Sequence, residues 1–330
     1  MDNGLARGQS DDSMMSYGQL FLAVAPVMAL IGLGLLLRRM DWISEAGEES
    51  LLSLIVRVLT PCLIFESVVS RATVSGAGDV LLPPLAGFLL TSVSLAVGWY
   101  AARALGLTIG HGLRTFALAV GLTNYGYLPL PLMDTLFGPD SRAFLFMHNA
   151  GVEAAIWTTG VLIVTGESPR AAWRKLLNAP LLALGVALAF KLSGLGDQLP
   201  AVVWSFIHAL AVCAVPLGLL MTGATFAPHL DDPKQLVNPR VILTAWLLRL
   251  AVLPWVFLLA ARYAPISTGL KQVLVVQAAM PTAVISVIVA RIYGGKPLVA
   301  VQIILGTTAL AVFTIPAWIK FGLSFAGLAP

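Results

Sequence analysis

The stretch GLTNYGYLPLP, Gly121 to Pro131, interrupts an otherwise apolar part of the chain, and the rest of the sequence is best interpreted from it. It holds two glycines, two prolines and Asn124, which together break a continuous helix. Hydrocarbon offers no water to the backbone groups freed at Pro129 and Pro131. Such a break is therefore tolerated only inside protein or beside a wet cavity. One segment of this kind fits a proline kink and a binding site equally well.

The composition of the 330 residues indicates a polytopic membrane protein. Hydrophobic residues make up 58% and charged residues 11%, whereas about 25% of a typical soluble domain is charged. The net charge of +4 comes from basic residues scattered singly between apolar runs, which argues against a nucleic-acid partner. The two cysteines show no metal or redox spacing, so neither a metal nor a cofactor is expected.

Ten apolar segments follow a polar tail at 1–16, and most are near the ~20 residues that a bilayer requires. An even number of spans places both termini on the same side of the membrane. The predicted spans are 17–37, 50–69, 80–102, 114–136, 143–165, 177–192, 201–223, 240–263, 272–293 and 298–321.

The distribution of lysine and arginine predicts the orientation. Eleven basic residues follow the odd-numbered spans: Arg38, Arg39, Arg103, Arg114, Arg170, Arg174, Lys175, Lys234, Arg240, Arg291 and Lys296. Seven lie on the other face: Arg7, Arg71, Arg142, Lys191, Arg262, Lys271 and Lys320. By the positive-inside rule both termini are periplasmic, with the chain in the cytoplasmic (inner) membrane of a bacterium.

The spacing of the prolines also predicts an internal repeat. Four proline pairs, each 152 to 155 positions apart, join span n to span n+5: Pro26 with Pro180, Pro61 with Pro216, Pro84 with Pro239, and Pro129 with Pro281. Because five is an odd number of spans, the second half must be inserted upside down relative to the first. We therefore predict an all-α fold of two inverted five-helix repeats, at 17–165 and 177–330, joined by a cytoplasmic linker at 166–176.

Span nine occupies the position that matches span four, and it is broken as well. Its sequence, VVQAAMPTAVISVIVARIYGG, has Pro281 in the middle. Crossing in opposite directions near the midplane, the two broken spans would aim half-helix N-termini at one point, which favours an anion. The residues predicted to bind the substrate are Asn124, Tyr125, Gly126, Pro129, Met280, Pro281, Thr282 and Ser286.

Several stretches carry a family resemblance: LTPCLIFESV (59–68), NYGYLPLP (124–131), NAPLL (178–182), VPLGLLMTGA (215–224), AAMPTA (278–283) and TIPAW (314–318). With them the sequence resembles the auxin efflux carrier family, the bacterial relatives of plant PIN-formed carriers. The resemblance implies ten helices in two inverted halves, a fold akin to bile acid:sodium symporters. It also implies a scaffold and a moving transport domain that holds the crossover. The family often has asparagine where Ile285 stands, so the pocket is expected to be more apolar there.

Inserting a charged side chain into the membrane costs at least about 2.5 to 3.5 kcal/mol, so each ionisable residue inside a span is a candidate for a functional or structural role. Arg249 is either a counter-charge for substrate or a carboxylate under the crossover, or a member of a structural ion pair. Glu153, with His148 and Asn149, could carry a proton in coupled transport. In the alternative, His148 and Asn149 cap a helix end while Glu153 pairs with Arg249 or Arg57.

No H-E-x-x-H, G-x-S-x-G or phosphate-loop motif occurs, so the chain is not expected to be an enzyme. The expected function is secondary transport of a small organic anion, a mono- or dicarboxylate. The alternatives are ion-coupled symport of a larger amphipathic anion and a non-transporting membrane sensor. Coupling to H⁺ or Na⁺ and assembly as a homodimer in the lipid bilayer are left open.

Overall fold

The computed structural model describes residues 17–71, 77–166, 179–230 and 238–328. These ranges are helical, with turns between helices, and they contain no β-strand. The tail predicted at 1–16 lies outside the described residues, as does the predicted linker after Gly166.

Fifteen α-helices make up the described chain. In the first half they are α1 (Tyr17–Arg39), α2 (Glu45–Leu54), α3 (Thr60–Arg71), α4 (Ala77–Ala104), α5 (Leu113–Gly121), α6 (Pro129–Phe137), α7 (Arg142–Ala155) and α8 (Val161–Thr165). In the second half they are α9 (Ala179–Ser193), α10 (Ala201–Ala224), α11 (Pro239–Trp246), α12 (Leu253–Tyr263), α13 (Thr268–Ala279), α14 (Ile285–Ile292) and α15 (Pro297–Phe325).

Three π-helical turns in the described part of the chain join α-helices into longer rods. Ile55–Leu59 links α2 to α3, Ile156–Gly160 links α7 to α8, and Leu247–Val252 links α11 to α12. Such turns insert one extra residue into a helix and are frequent at functional sites. The second turn holds Trp157 and the third holds Arg249, and both residues contact the site described below.

Within the described residues, five continuous helical stretches are long and apolar enough to cross a membrane: Glu45–Val69, Gly78–Ala104, Ala201–Ala224, Pro239–Tyr263 and Pro297–Phe325. The prediction of a helical membrane protein is therefore confirmed at this level. The count of ten spans and their arrangement as inverted repeats remain predictions.

The helices pack into two groups. The first, which we call the scaffold group, consists of α1, α2 with α3, α9 and α10, because α10 packs on both α1 and α3 and α9 packs on α3. The second, the crossover group, holds the remaining helices around α4, α7, α13 and α15. Within it α4 and α7 approach closely at glycines: a Cβ at Gly87 would collide with the carbonyl oxygen of His148, and one at Gly151 with that of Pro84. Small residues at such contacts let membrane helices approach.

Candidate functional site at the crossing of two broken helices

The first interruption, residues 122–128, separates α5 from α6 and is called break one here. Leu122 leaves the helix with an extended backbone (φ −90°, ψ 117°). The chain becomes helical again at Pro129, which occupies the first turn of α6. Proline is tolerated there because the first N–H groups of a helix have no partner within it.

The second interruption, residues 280–284, separates α13 from α14 and is called break two. Met280 is extended (φ −75°, ψ 140°), as expected for a residue that precedes a proline. Ser286 donates its hydroxyl hydrogen to the carbonyl oxygen of Ala283 at 2.7 Å, which ties the start of α14 to the break.

The two breaks contact one another directly. Thr123 and Thr282 form an isolated antiparallel bridge. The N–H of Asn124 donates to the carbonyl of Pro281 at 2.7 Å, and the N–H of Ala283 donates to the carbonyl of Leu122 at 3.0 Å. Each break thus supplies backbone hydrogen bonds that the other has lost, which is what irregular backbone within a membrane requires.

A cavity of about 690 Å³ lies between the scaffold group and the crossing. Its scaffold wall comes from α1, α2, α3, α9 and α10, and its other wall from break one, α6, α7, α14 and the last two residues of break two, Ala283 and Val284. The size is in the range of small-molecule sites, ~300–1,000 Å³. Ile285 is among the residues that line it.

Break one offers free hydrogen-bond donors to this cavity. Asn124, Tyr125, Gly126 and Tyr127 all line it and are half-buried. Among the described residues, the Asn124 side chain and the N–H groups of Gly126 and Tyr127 make no hydrogen bond. Neutral donors of this kind suit an anion that must later be released, because they hold it without a permanent ion pair.

A carboxylate stands on the same wall. Glu153 on α7 accepts hydrogen bonds from the Tyr125 hydroxyl at 2.5 Å and from the Trp157 indole N–H at 2.9 Å. One turn earlier, the Asn149 side chain donates to the carbonyl oxygen of Tyr125 at 2.8 Å. Break one is therefore attached to α7 at two points.

Arg249 lies behind break two, in the π-helical turn between α11 and α12, and its side chain is fully buried. Its Nε donates to the carbonyl oxygen of Met280 at 3.1 Å, and its guanidinium lies 5.8 Å from the centre of the Phe257 ring. No carboxylate of the described ranges forms an ion pair with it. The cation therefore caps the carbonyl end of α13, where a positive charge is favourable.

The predicted site residues separate into two sets. Asn124, Tyr125, Gly126 and Glu153 line the cavity. Those that are buried away from the cavity are Pro129, Met280, Pro281, Thr282, Ser286, His148 and Arg249. The structure thus brings Asn124, Tyr125, Gly126 and Glu153 to the cavity, and holds the predicted second-half residues, together with Pro129 and His148, behind it.

The two ends of the cavity differ. One end reaches the molecular surface beside Glu45, Glu49 and Arg291, which are exposed. Toward the other end α3 packs on α7. There Arg142 forms a two-pronged ion pair with Asp134, with both N–O distances at 2.5 Å, and His208 contacts Glu66 at 2.7 Å.

Comparison with known proteins identifies the family. The model of a family described as membrane transport proteins matches residues 19–319, which is most of the chain. The chain belongs to this family, the auxin efflux carrier-like membrane transport proteins. A protein of Methanothermobacter thermautotrophicus described as an uncharacterized transporter is 27% identical over 307 residues, covering 89% of this chain and 96% of that protein.

Membership confirms the resemblance seen in the sequence. It identifies an integral membrane transport protein rather than an enzyme. Three contacts of this transport protein's site were missed by sequence reasoning: the Trp157–Glu153 hydrogen bond, the Arg249–Met280 hydrogen bond, and the bond between the Thr60 and Tyr127 hydroxyls at 2.7 Å. The Trp157–Glu153 contact could have been predicted from the sequence, because Asn149, Glu153 and Trp157 are spaced four residues apart and so share one helix face.

Proposed function

We propose that this membrane transport protein is a secondary carrier of a small organic anion, a mono- or dicarboxylate, that works by alternating access. With each broken helix counted as one span, ten spans would form two inverted five-helix repeats. Matching helix pairs support this arrangement: α1 packs on α10 as α9 packs on α3, and α4 packs on α5 as α12 packs on α13. Inverted repeats with broken helices at equivalent places are a transporter architecture.

One observation carries the anion proposal. At the crossing of the two breaks, the unbonded Asn124 amide and the N–H groups of Gly126 and Tyr127 belong to residues that line one cavity. Donors arranged in advance in a site of low dielectric stabilise a carboxylate without a cation.

With the predicted orientation, the structure corresponds to the inward-facing state of the carrier. The open mouth lies at the end of α1, the start of α2 and the end of α14, which the positive-inside rule places in the cytoplasm. With both termini periplasmic, the cavity faces inward. Opening outward would require the crossover group to move against the scaffold group and to break the Thr60–Tyr127 hydrogen bond that links them. No ATP-binding motif occurs in the sequence, so the energy would come from solute gradients.

The cavity walls favour a second candidate, ion-coupled symport of a larger amphipathic anion. Much of the lining is apolar: Leu52, Val56, Ile64, Leu130, Phe146, Leu181, Leu184, Ile285 and Ile288. An anion with a hydrophobic body would bury that body against these residues, at about 25 cal/mol per Å² of apolar surface.

Flux through proteoliposomes tests both candidates. The purified full-length protein is reconstituted and counterflow of labelled lactate, malonate and succinate is measured, with taurocholate as the amphipathic probe. Counterflow of a small carboxylate supports the proposal, and counterflow of taurocholate alone supports the second candidate. Saturable binding without flux under any gradient would instead indicate a sensor, and the absence of both binding and flux would contradict an organic-anion substrate.

A further inference from the structure

A second cavity, of about 340 Å³, lies at the ends of α5 and α14 that point away from the crossing. It shares no described residue with the cavity beside break one. Three stretches line it: the turn before α5 with the first residues of that helix, the last residues of α8, and the turn between α14 and α15. All three stretches belong to the crossover group.

The charged side chains that line this second cavity are all positive within the described ranges. Arg114 and Lys296 line it, and no aspartate or glutamate of those ranges does. Neither residue forms an ion pair in the part of the chain that the structure describes. Two cations in one small space repel each other, whereas an anion between them attracts both. We call this space the basic cavity.

Arg114 is held through only one of its nitrogen atoms. Its Nη1 donates to the carbonyl oxygens of Val164 at 2.9 Å and Thr165 at 2.5 Å, which caps the end of α8. Its Nε is buried, and neither Nε nor Nη2 makes a hydrogen bond among the described residues. Nε and Nη2 form the side-on edge of the guanidinium fork, which binds two oxygens of one anion in parallel. The capping role explains the position of Arg114 but leaves this edge without an acceptor.

Backbone groups complete the wall of the basic cavity. Gly110 and Gly112 turn the chain with a left-handed backbone (φ 88° and 100°), a conformation that favours glycine. Because α5 begins directly afterwards, at Leu113, its first N–H groups lie beside the cavity without partners in the helix. The N–H of Lys296 donates to the Thr115 hydroxyl at 2.8 Å, which joins the start of α5 to the turn before α15. The Lys296 side chain is exposed and makes no hydrogen bond among the described residues.

We propose that the basic cavity binds a phosphate monoester group, carried either by a lipid headgroup or by a soluble compound. This site is separate from the one proposed for the transported anion. A carboxylate offers two oxygens, and the Arg114 edge alone would use both, whereas a phosphate monoester offers about three. The remaining oxygen is available to the Lys296 ammonium group and to the first N–H groups of α5.

The position of the basic cavity gives a bound phosphate a structural effect. The α5 helix leads from the cavity to break one, and α14 leads from break two to the turn that lines the cavity. A phosphate held by Arg114 and Lys296 would therefore connect both half-helices at the ends opposite to the crossing. A ligand that binds only the folded state stabilises it. We therefore expect the phosphate to raise the unfolding temperature of the protein. In the predicted orientation the cavity is on the cytoplasmic face, where anionic lipids are found.

The test measures the binding of two probes to the purified full-length protein in a neutral detergent. Radiolabelled inorganic phosphate is the soluble probe, with the ionic strength held constant by potassium chloride. Phosphatidic acid is the lipid probe in native mass spectrometry, and diacylglycerol, which lacks the phosphate, is its matched control. We expect at least one phosphate probe to bind, and to raise the unfolding temperature above that in its control.

Two variants of the basic cavity and two controls locate the binding. Lys296→Gln removes one cation, keeps the backbone N–H that joins Thr115, and should weaken binding about ten- to hundredfold. Arg114→Lys keeps a charge and a donor for the end of α8 but loses the side-on edge, so a similar loss is expected. Arg240→Gln is the matched control, since it removes an exposed cation on the same predicted face, and should bind within about twofold of wild type. Asn124→Ala, in the other cavity, should also bind the phosphate normally.

The outcomes decide both the site and the source of the phosphate. A loss of inorganic phosphate binding in Lys296→Gln supports a soluble ligand, and a loss for phosphatidic acid alone supports a lipid headgroup. Failure of both probes to bind, or binding that folded Lys296→Gln or Arg114→Lys leaves unchanged, overturns the proposal. If Arg114→Lys does not fold, Lys296→Gln decides alone.

The two controls supply further ways to overturn the proposal. A loss of phosphate binding in Asn124→Ala would place the phosphate in the cavity beside break one. An equal loss in Arg240→Gln would indicate general attraction to a basic surface. Neither measurement uses carboxylate counterflow, so failure of the proposed function would be seen separately.

Discussion

Break one and break two interrupt helices at matching places of the two halves, yet their surroundings differ. In break one, residues 124–127 are half-buried and line the cavity. In break two, Met280, Pro281 and Thr282 are buried, while Ala283 and Val284 line the cavity, and side chains from two other helical rods bind the segment. Arg249 donates to Met280, and the Thr307 hydroxyl accepts from the N–H of Thr282 at 3.3 Å.

This difference indicates that the two breaks have different roles. Break two is the support: the carbonyl oxygens of Met280 and Pro281 and the N–H groups of Thr282 and Ala283 are hydrogen-bonded within the protein, so it holds the crossing in place. Break one keeps donors free on the cavity side, so it is the half that can recognise a ligand. Changes in break one should alter anion affinity with little effect on stability, whereas changes around break two should alter stability with little effect on affinity.

The largest effect is expected from a bulky side chain at Gly126. A Cβ at this glycine would meet no atom within 4 Å, so the space beside it is open. A phenylalanine there would occupy the cavity and should weaken anion binding by more than about a hundredfold, through a steric clash with the ligand. Saturation binding of the transported carboxylate measures this, and Gly126→Ala, which should bind almost normally, is the matched control. Normal binding by Gly126→Phe would mean that the anion lies elsewhere.

Asn124→Ala should have the next largest effect. It removes a charge-assisted hydrogen bond worth about 1.5 to 3 kcal/mol, which corresponds to a ten- to hundredfold loss of affinity. The Asn124 side chain makes no hydrogen bond among the described residues, so the melting temperature should hardly change. Calorimetric titration and thermal unfolding of the same preparation check both parts. Unchanged affinity at a normal expression level would make Arg249 the better candidate.

Thr307→Val should affect the support instead. It leaves the buried N–H of Thr282 without its acceptor, at a cost of about 1 to 3 kcal/mol of stability. Anion affinity should stay within about threefold of wild type. Thr307→Ser keeps the hydroxyl and is the control for thermal unfolding and binding. A large loss of affinity with unchanged stability would place break two in the recognition site.

Thr282→Val should have the smallest effect. The Thr282 hydroxyl is fully buried and makes no hydrogen bond among the described residues. Replacing it with a methyl group of similar size should leave stability unchanged or slightly raised, within about 0.5 kcal/mol. Affinity should also be unchanged. A clear fall in affinity, measured beside Asn124→Ala, would show that both breaks contact the anion.

The positions of the two breaks could be predicted from the sequence because proline and glycine act locally. Proline disrupts the interior of a helix, so Pro129 marks a helix start. Pro281 disfavours the helical conformation for Met280, the residue before it. Family membership could also be predicted, because it depends on short stretches such as AAMPTA. These features need no knowledge of which helices touch.

The parts that could not be predicted depend on contacts between distant residues. Tyr125 and Glu153 are 28 positions apart, and Arg249 and Met280 are 31 apart, so no periodic pattern pairs them. Hydropathy also placed the start of the second span at 50, whereas the helix begins at Glu45. The Ser44 hydroxyl caps that helix by accepting a hydrogen bond from the N–H of Gly47. The first turn is acidic, so its hydropathy is low and hydropathy alone assigns it to a loop.

The most direct test of the account is to locate the anion itself. A crystal of the protein with a bromine-substituted analogue of the transported carboxylate would give the ligand's position from anomalous scattering. We predict that the carboxylate lies within about 3 Å of the Asn124 side-chain nitrogen, on the cavity side of break one. A carboxylate found beside the terminal nitrogens of Arg249, behind break two, would contradict the division between a recognising and a supporting break.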